Sequence, residues 1–196
     1  TTLTISETAT LYSRTSTTSE IFTLDVTAGT INLDLTSSID AIGRGHRATY
    51  TSDGAGGTDN TNSYVTRASS TYQAGAHGGF GGHPTLQAEP YGSITQPTTA
   101  GGGGFDSSGG GAIKISATNF DLQGVVDAQG GTAINSAAAG GGIWINVTGE
   151  LTGGGTIQAN GGDNLSGSRA GGGGGRVALD YNSSVSGNSV RTAVRT

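Results

Sequence analysis

The run Gly109-Gly110-Gly111-Ala112-Ile113-Lys114-Ile115-Ser116-Ala117 returns thirty residues later as Gly140-Gly141-Gly142-Ile143-Trp144-Ile145-Asn146-Val147. Both enter an apolar alternation (Ile113, Ile115, Ala117; Ile143, Ile145, Val147) from a glycine run, and a period of two is that of a half-buried strand. Val177-Ala178-Leu179 follows Gly171 to Gly175 in the same way, 34 residues after Ile143. A second series runs alongside: Ser38-Ile39-Asp40-Ala41-Ile42-Gly43, Val125-Val126-Asp127-Ala128-Gln129-Gly130 and Thr156-Ile157-Gln158-Ala159-Asn160-Gly161. Self-similarity at a period of about thirty residues marks a repeat architecture. Three short strands per unit, separated by glycine or polar corners, would form one coil of a parallel β-helix whose inward residues are buried by the coils above and below. The first part of the chain follows the same alternation, with Leu3, Ile5, then Phe22, Leu24, Val26, then Ile31, Leu33, Leu35 set among threonines, good β-formers on an exposed pleat.

Composition agrees. Of 196 residues, 38 are Gly, 29 Thr and 21 Ser, so apolar burial is sparse and backbone hydrogen bonding must carry much of the fold. A net charge of −5 is too small for disorder driven by self-repulsion. With only 3 Pro and no Gly-X-Y period, the chain is not collagen-like. No apolar run is long enough for a membrane-spanning helix, so no membrane insertion is expected. One Lys and eight scattered Arg make no basic stripe, so no nucleic-acid partner is expected. The absence of Cys excludes disulfides and thiolate metal sites. The chain opens Thr1-Thr2-Leu3 and lacks Met throughout, which reads as a mature protein or a segment of a longer one.

The expected organisation is a single all-β domain, 1–196. Residues 1–30 form a Thr-rich strand segment suited to pairing with another subunit. Residues 43–111 form a long irregular insertion, and 112–180 the glycine-rich repeat coils. The insertion holds all three His, all three Pro and six of the eleven aromatics. The glycine runs at 101–104, 109–111, 140–142 and 171–175 admit two readings: permissive corners where φ is positive or backbones approach closely, or extended polyproline-II-like strands that bond sideways in register.

Taken together, Gly75-Ala76-His77-Gly78-Gly79-Phe80-Gly81-Gly82, Tyr91-Gly92-Ser93, Gly109 to Ile115 and Ile157 to Gly162 resemble the glycine-rich, pectin-lyase-like parallel β-helix regions of bacterial surface and adhesin-like proteins. The resemblance covers roughly residues 38 to 180. It implies a secreted, right-handed parallel β-helix with glycine-rich loops, and it carries no catalytic residues.

Candidate chemistry is thin. Asp40 and Asp127 share a repeat position, but the third equivalent is Gln158, so a polar ladder is favoured over an acid and base pair and no catalytic residue is assigned. Asp53 and Asp59 flank a glycine turn that could hold Ca2+, although an Asx turn explains the same residues and no other cofactor is expected. His46, His77 and His83 are too irregularly spaced for zinc. Asn146, Asn164 and Asn182 begin glycosylation triplets. Tyr64, Tyr72 and Tyr91, with Arg67, are the residue types that stack on sugars or anchor interfaces, and are the candidate ligand-binding set.

These features lead to a non-enzymatic extracellular structural protein at the cell surface, self-assembling head to tail into a filament or sheath with itself as partner. The alternative is an adhesin module binding glycan, protein or a host or neighbouring cell surface through the insertion. A polysaccharide-degrading enzyme ranks third.

Overall fold

The alternating segments become strands. The computed structural model describes residues 1–17, 19–48, 73–82, 88–167 and 169–181, together with the backbones of three further strands at 56–57, 65–66 and 191–193. In chain order the strands are β1 (Thr2–Ile5), β2 (Thr10–Tyr12), β3 (Thr23–Leu33), β4 (Ser38–Asp40), β5 (Gly56–Gly57), β6 (Val65–Thr66), β7 (Ala112–Leu122), β8 (Val125–Asp127), β9 (Gly142–Val147), β10 (Leu151–Thr152), β11 (Thr156–Gln158), β12 (Arg176–Tyr181) and β13 (Arg191–Ala193).

Apart from the short antiparallel pair β5–β6, these strands form two parallel sheets. The first has the order β1-β3-β7-β9-β12, with β10 on the second half of β7, and the second has the order β2-β4-β8-β11-β13. The chain alternates between them, as in β1 to β2, β3 to β4 and β7 to β8. The equivalences read from repeat spacing are the actual register. Leu24, Ile113, Ile143 and Val177 lie in one column, and Val26, Ile115, Ile145 and Leu179 in the next. In the second sheet Leu11, Ile39, Val126 and Ile157 stack likewise. Ile39, Ile113, Ile115, Ile143, Ile145 and Ile157 are fully buried in one core with Phe120, Leu122 and Leu151. Burial of each such side chain contributes about 1.5–3 kcal/mol.

The expectation of a right-handed parallel β-helix is corrected here. Three strands per coil were expected, whereas the described residues form two parallel sheets, no third, and no helical solenoid. The physical reason lies in the segments that lead from the second sheet back to the first. They are runs of Gly and Ala, which have little or no side chain to seat on a pleated surface, and they make no strands.

These segments bond to one another directly. The stretch 137–141 shows how: Ala139 N donates to Gly102 O, Gly140 N to Gly173 O and Gly141 N to Ala128 O, while Gly75 N, Gly110 N and Gly162 N donate to Ala137 O, Ala139 O and Ala138 O, at 2.7–3.0 Å. A β-strand bonds in one plane to two neighbours. Here one extended segment bonds to neighbours in several directions, which requires backbones closer than a side chain allows. A Cβ on Gly110 would lie 1.9 Å from Ala128 O, and one on Gly172 1.9 Å from Ala138 O. The positive-φ glycines among the described residues are Gly43, Gly92, Gly153 and Gly167, none of them in the four runs. Close approach with sideways bonding, rather than left-handed corners, therefore explains the runs. Residues of the insertion belong to this layer, since Ala74, Ala76, His77 and Ala100 are buried in it.

Candidate functional site

His77 is held where the glycine layer leaves room for one ring. Its Nδ1 lies 2.9 Å from Gly140 O, which can only accept, so Nδ1 carries the proton and Nε2 accepts from the Thr99 hydroxyl at 2.8 Å. Burial pushes its pKa down to about 4, helped by the positive charge of Arg176, so the ring is neutral at physiological pH. Gly92 beside it is needed twice over, because its φ is +86° and a Cβ would stand 2.5 Å from Thr99 Oγ1. Tyr91 packs on the His77 ring at 4.9 Å and donates its hydroxyl to Ala100 O at 2.6 Å. Arg176 Nε donates to Tyr91 O at 2.8 Å, tying the insertion to β12. The arrangement locks the layer in place. A neutral imidazole whose two nitrogens both serve the fold has none left for a substrate proton.

The ligand-binding set is thus placed as follows. Tyr91 is buried with its hydroxyl engaged inside the protein, and Tyr64, Tyr72 and Arg67 lie outside the described residues, as do Asp53, Asp59, His83 and Asn182. Among the described residues no group of three His, Cys, Asp or Glu is gathered to hold a metal ion. Asn146 sits mid-strand in β9 between Ser116 and Asp180. Asn164 spends its amide on Ile134 O and Asn135 O, and its oxygen accepts from Ser166 Oγ and Arg169 N.

The repeated carboxylates do meet. Asp40 and Asp127 are register partners on β4 and β8, with Gln158 next on β11. Each aspartate closes its own turn: Asp40 Oδ1 accepts from Ile42 N and Asp127 Oδ1 from Gln129 N. Asp127 Oδ2 accepts from the amides of Gln129 and Gln158, and Asn160 Nδ2 continues the ladder to Gln129 Oε1. Burial pushes the Asp127 carboxyl up, against the pull of these bonds. A groove of about 370 Å³, lined by Ile42, Gln129, Thr132, Asp163 and glycines, runs beside the ladder, but both Asp127 oxygens are occupied by amides. The chemistry this supports is turn closure and strand alignment.

The remaining candidate is the pair of sheet ends. At one end β1 and β2 pair inward only, with β3 and β4. At the other, β12 and β13 pair inward only, with β9 and β11. Their outer edges have no strand partner among the described residues, and Leu3, Leu11 and Leu24 at one end and Val177 and Leu179 at the other are only partly buried. Sequence reading offered 1–30 for pairing with another subunit. The structure pairs β1 and β2 within the chain and leaves their outer edges. What reasoning on sequence missed was Arg176, whose Nε ties Tyr91 O of the insertion to β12. No protein-family model, curated protein or solved structure matches this chain.

Proposed function

We propose that this protein is a non-enzymatic structural protein of the cell exterior that associates head to tail into a surface filament or sheath. One observation carries the reading: the two ends of the paired sheets present edges of the same strand polarity and the same inward alternation. Leu3, Leu11 and Leu24 are half-covered at one end, Val177 and Leu179 at the other. An open strand edge is a template for another chain. A contact between two different surfaces of the same molecule does not close on itself, so it propagates. The full engagement of His77 and Asp127 within the fold supports a role without catalysis. The extracellular placement rests on the resemblance to bacterial surface proteins.

Electron microscopy of the untagged protein, with light scattering in dilute buffer, tests this. Regular fibres or tubes that form without ligand are the expected result, and dispersed monomers at all concentrations would overturn it.

A further inference from the structure

The chain's single tryptophan, Trp144, stands on β9, a strand paired on both sides. Lys114, Ser116, Trp144 and Asn146 alternate with the buried Ile113, Ile115, Ile143 and Ile145, so all four project from the outer face of the first sheet. The register sets that face in two columns: Asp25, Lys114, Trp144 and Ala178 in one, Thr27, Ser116, Asn146 and Asp180 in the other. In the first column the polar groups are committed. Lys114 Nζ pairs with Asp25 Oδ2 at 2.9 Å and lies 5.7 Å from the centre of the indole, and Trp144 Nε1 donates to Asp180 Oδ2 at 2.8 Å. These contacts hold the half-buried indole in one place. Ala178, its register partner on β12, is the smallest side chain of the column and cannot cover the ring. In the second column the half-buried Ser116 hydroxyl and Asn146 amide have no partner among the described residues, and Asp180 has its Oδ1 to spare. A hollow of about 250 Å³ opens beside them, lined by Asn146, Val147, Thr148, Asp180 and Tyr181.

We infer that this face is a binding site for a neutral glycan, in which a pyranose ring rests against the Trp144 indole while its hydroxyls bond Ser116, Asn146 and Asp180. A sugar ring combines a face of C–H groups with a rim of hydroxyls that both donate and accept. The indole supplies a rigid apolar plane at small entropic cost. The Asn146 amide and the Ser116 hydroxyl donate and accept in turn, and Asp180 Oδ1 accepts. An anionic ligand would meet Asp25 and Asp180, and the one cation on the face, Lys114, is already paired. A cationic ligand would compete with Lys114 for the same ring. The hollow is smaller than the roughly 300–1,000 Å³ of pockets that enclose drug-sized ligands, which suits a single ring lying on a surface. The face looks sideways from the stack of strands. The site therefore holds whatever strand pairs beyond β12, and it stands apart from the head-to-tail reading. Asn146-Val147-Thr148 is also a glycosylation triplet, and a glycan attached there would fill the same place.

Because Trp144 is the only tryptophan, its fluorescence reads this site alone. The full-length protein, produced in a host that adds no N-glycans, is titrated with neutral hexasaccharides of glucose, mannose and galactose, with a sulfated oligosaccharide and tetramethylammonium as charged contrasts. At least one neutral hexasaccharide should shift the emission saturably below about 10 mM, the weak range of a single exposed ring. N146A and S116A should each weaken that binding about five- to tenfold, one hydrogen bond's worth, and leave the melting temperature unchanged, since both side chains project outward without partners. S116A carries the test alone if N146A fails to fold. Emission that no neutral hexasaccharide shifts, a response to the charged contrasts only, or binding that neither substitution weakens would each overturn the site.

Discussion

In the two sheets, Ile113, Ile115, Ile143 and Ile145 hold neighbouring strands together through what projects from the backbone. In the layer built by residues 101–111, 137–142 and 171–175, backbones meet because almost nothing projects. Both regions are buried, and both are ordered by recurrence at about thirty residues, yet they tolerate opposite errors. A sheet column loses energy when atoms are removed, whereas the glycine layer fails when one is added. The difference teaches that sparse apolar composition need not mean a weak interior, provided the backbone groups satisfy each other at close range.

The largest effect expected is from G110A. The added methyl would lie 1.9 Å from Ala128 O and 2.5 Å from Gly141 N, both backbone atoms that cannot swing aside. A loss of at least about 4 kcal/mol is expected, measured as the shift of the urea midpoint, because relief requires separating hydrogen-bonded segments. G171A sharpens the point within a single run. Its nearest non-neighbouring atom is Gly162 O at 3.8 Å, and its φ is not positive, so a change within about 0.5 kcal/mol is expected. Equal destabilisation by both would break the close-packing account.

On the sheet side, I145A should cost about 3–4 kcal/mol by the same measurement, since Ile145 is fully buried between Ile115 and Leu179. A loss below 1 kcal/mol would mean that the sheets are not the apolar core.

The next effect separates the two regions by pH. The folded pKa of His77, about 4, lies below the ordinary 6.5, so between these values the unfolded chain binds a proton that the fold refuses. Stability from this group is complete above about pH 6.5 and falls by about 3 kcal/mol as the pH drops to 4. Asp127 works the other way: with its carboxyl pushed up, acidification through its raised pKa favours the fold. Asp34 is held below the ordinary 3.8 by the nearby Ser37 hydroxyl and by the hydrogen bonds its carboxylate accepts from Glu7 N, Thr36 N and Thr36 Oγ1, and its contribution is lost only at still lower pH. An NMR titration in which the His77 ring protonates near pH 6.5 in the folded protein would remove the buried-lock account of the glycine layer.

The smallest effect is on the outer face of the first sheet. Lys114 Nζ pairs with Asp25 at 2.9 Å and lies over the Trp144 ring at 5.7 Å. With the two charged side chains 31% and 49% exposed, K114A should cost about 0.5 kcal/mol, checked by thermal melting. A loss of several kcal/mol would show that this exterior column contributes as much as the interior ones.

Much of the sheet architecture was legible. The glycine-to-apolar entries at Ile113, Ile143 and Val177 and the Ile-polar-Ala steps at Ile39, Val126 and Ile157 are register partners, because inward alternation with a fixed repeat leaves little freedom of slip. The third strand expected in each repeat does not form, and the Gly-Ala runs could not reveal this, because they carry no periodic signal and look alike in a corner, a strand or a layered backbone. The candidate site was less legible. Tyr91 is a surface-binding residue type by chemistry but an interior one by placement, and only the fold could reveal that the Ala100 carbonyl waits for its hydroxyl.

The sequence by itself determined that this chain is all-β and repetitive, and which columns of isoleucine, valine and leucine lie on one another. Those properties are local: side-chain alternation at period two, and the interval at which it returns. Only the tertiary structure decided that two sheets form rather than three, that the glycine runs bond sideways in several directions, and that His77 is neutral and locked. Each of these depends on distances between backbones far apart in the chain, and for residues with little or no side chain no pattern in the sequence records them.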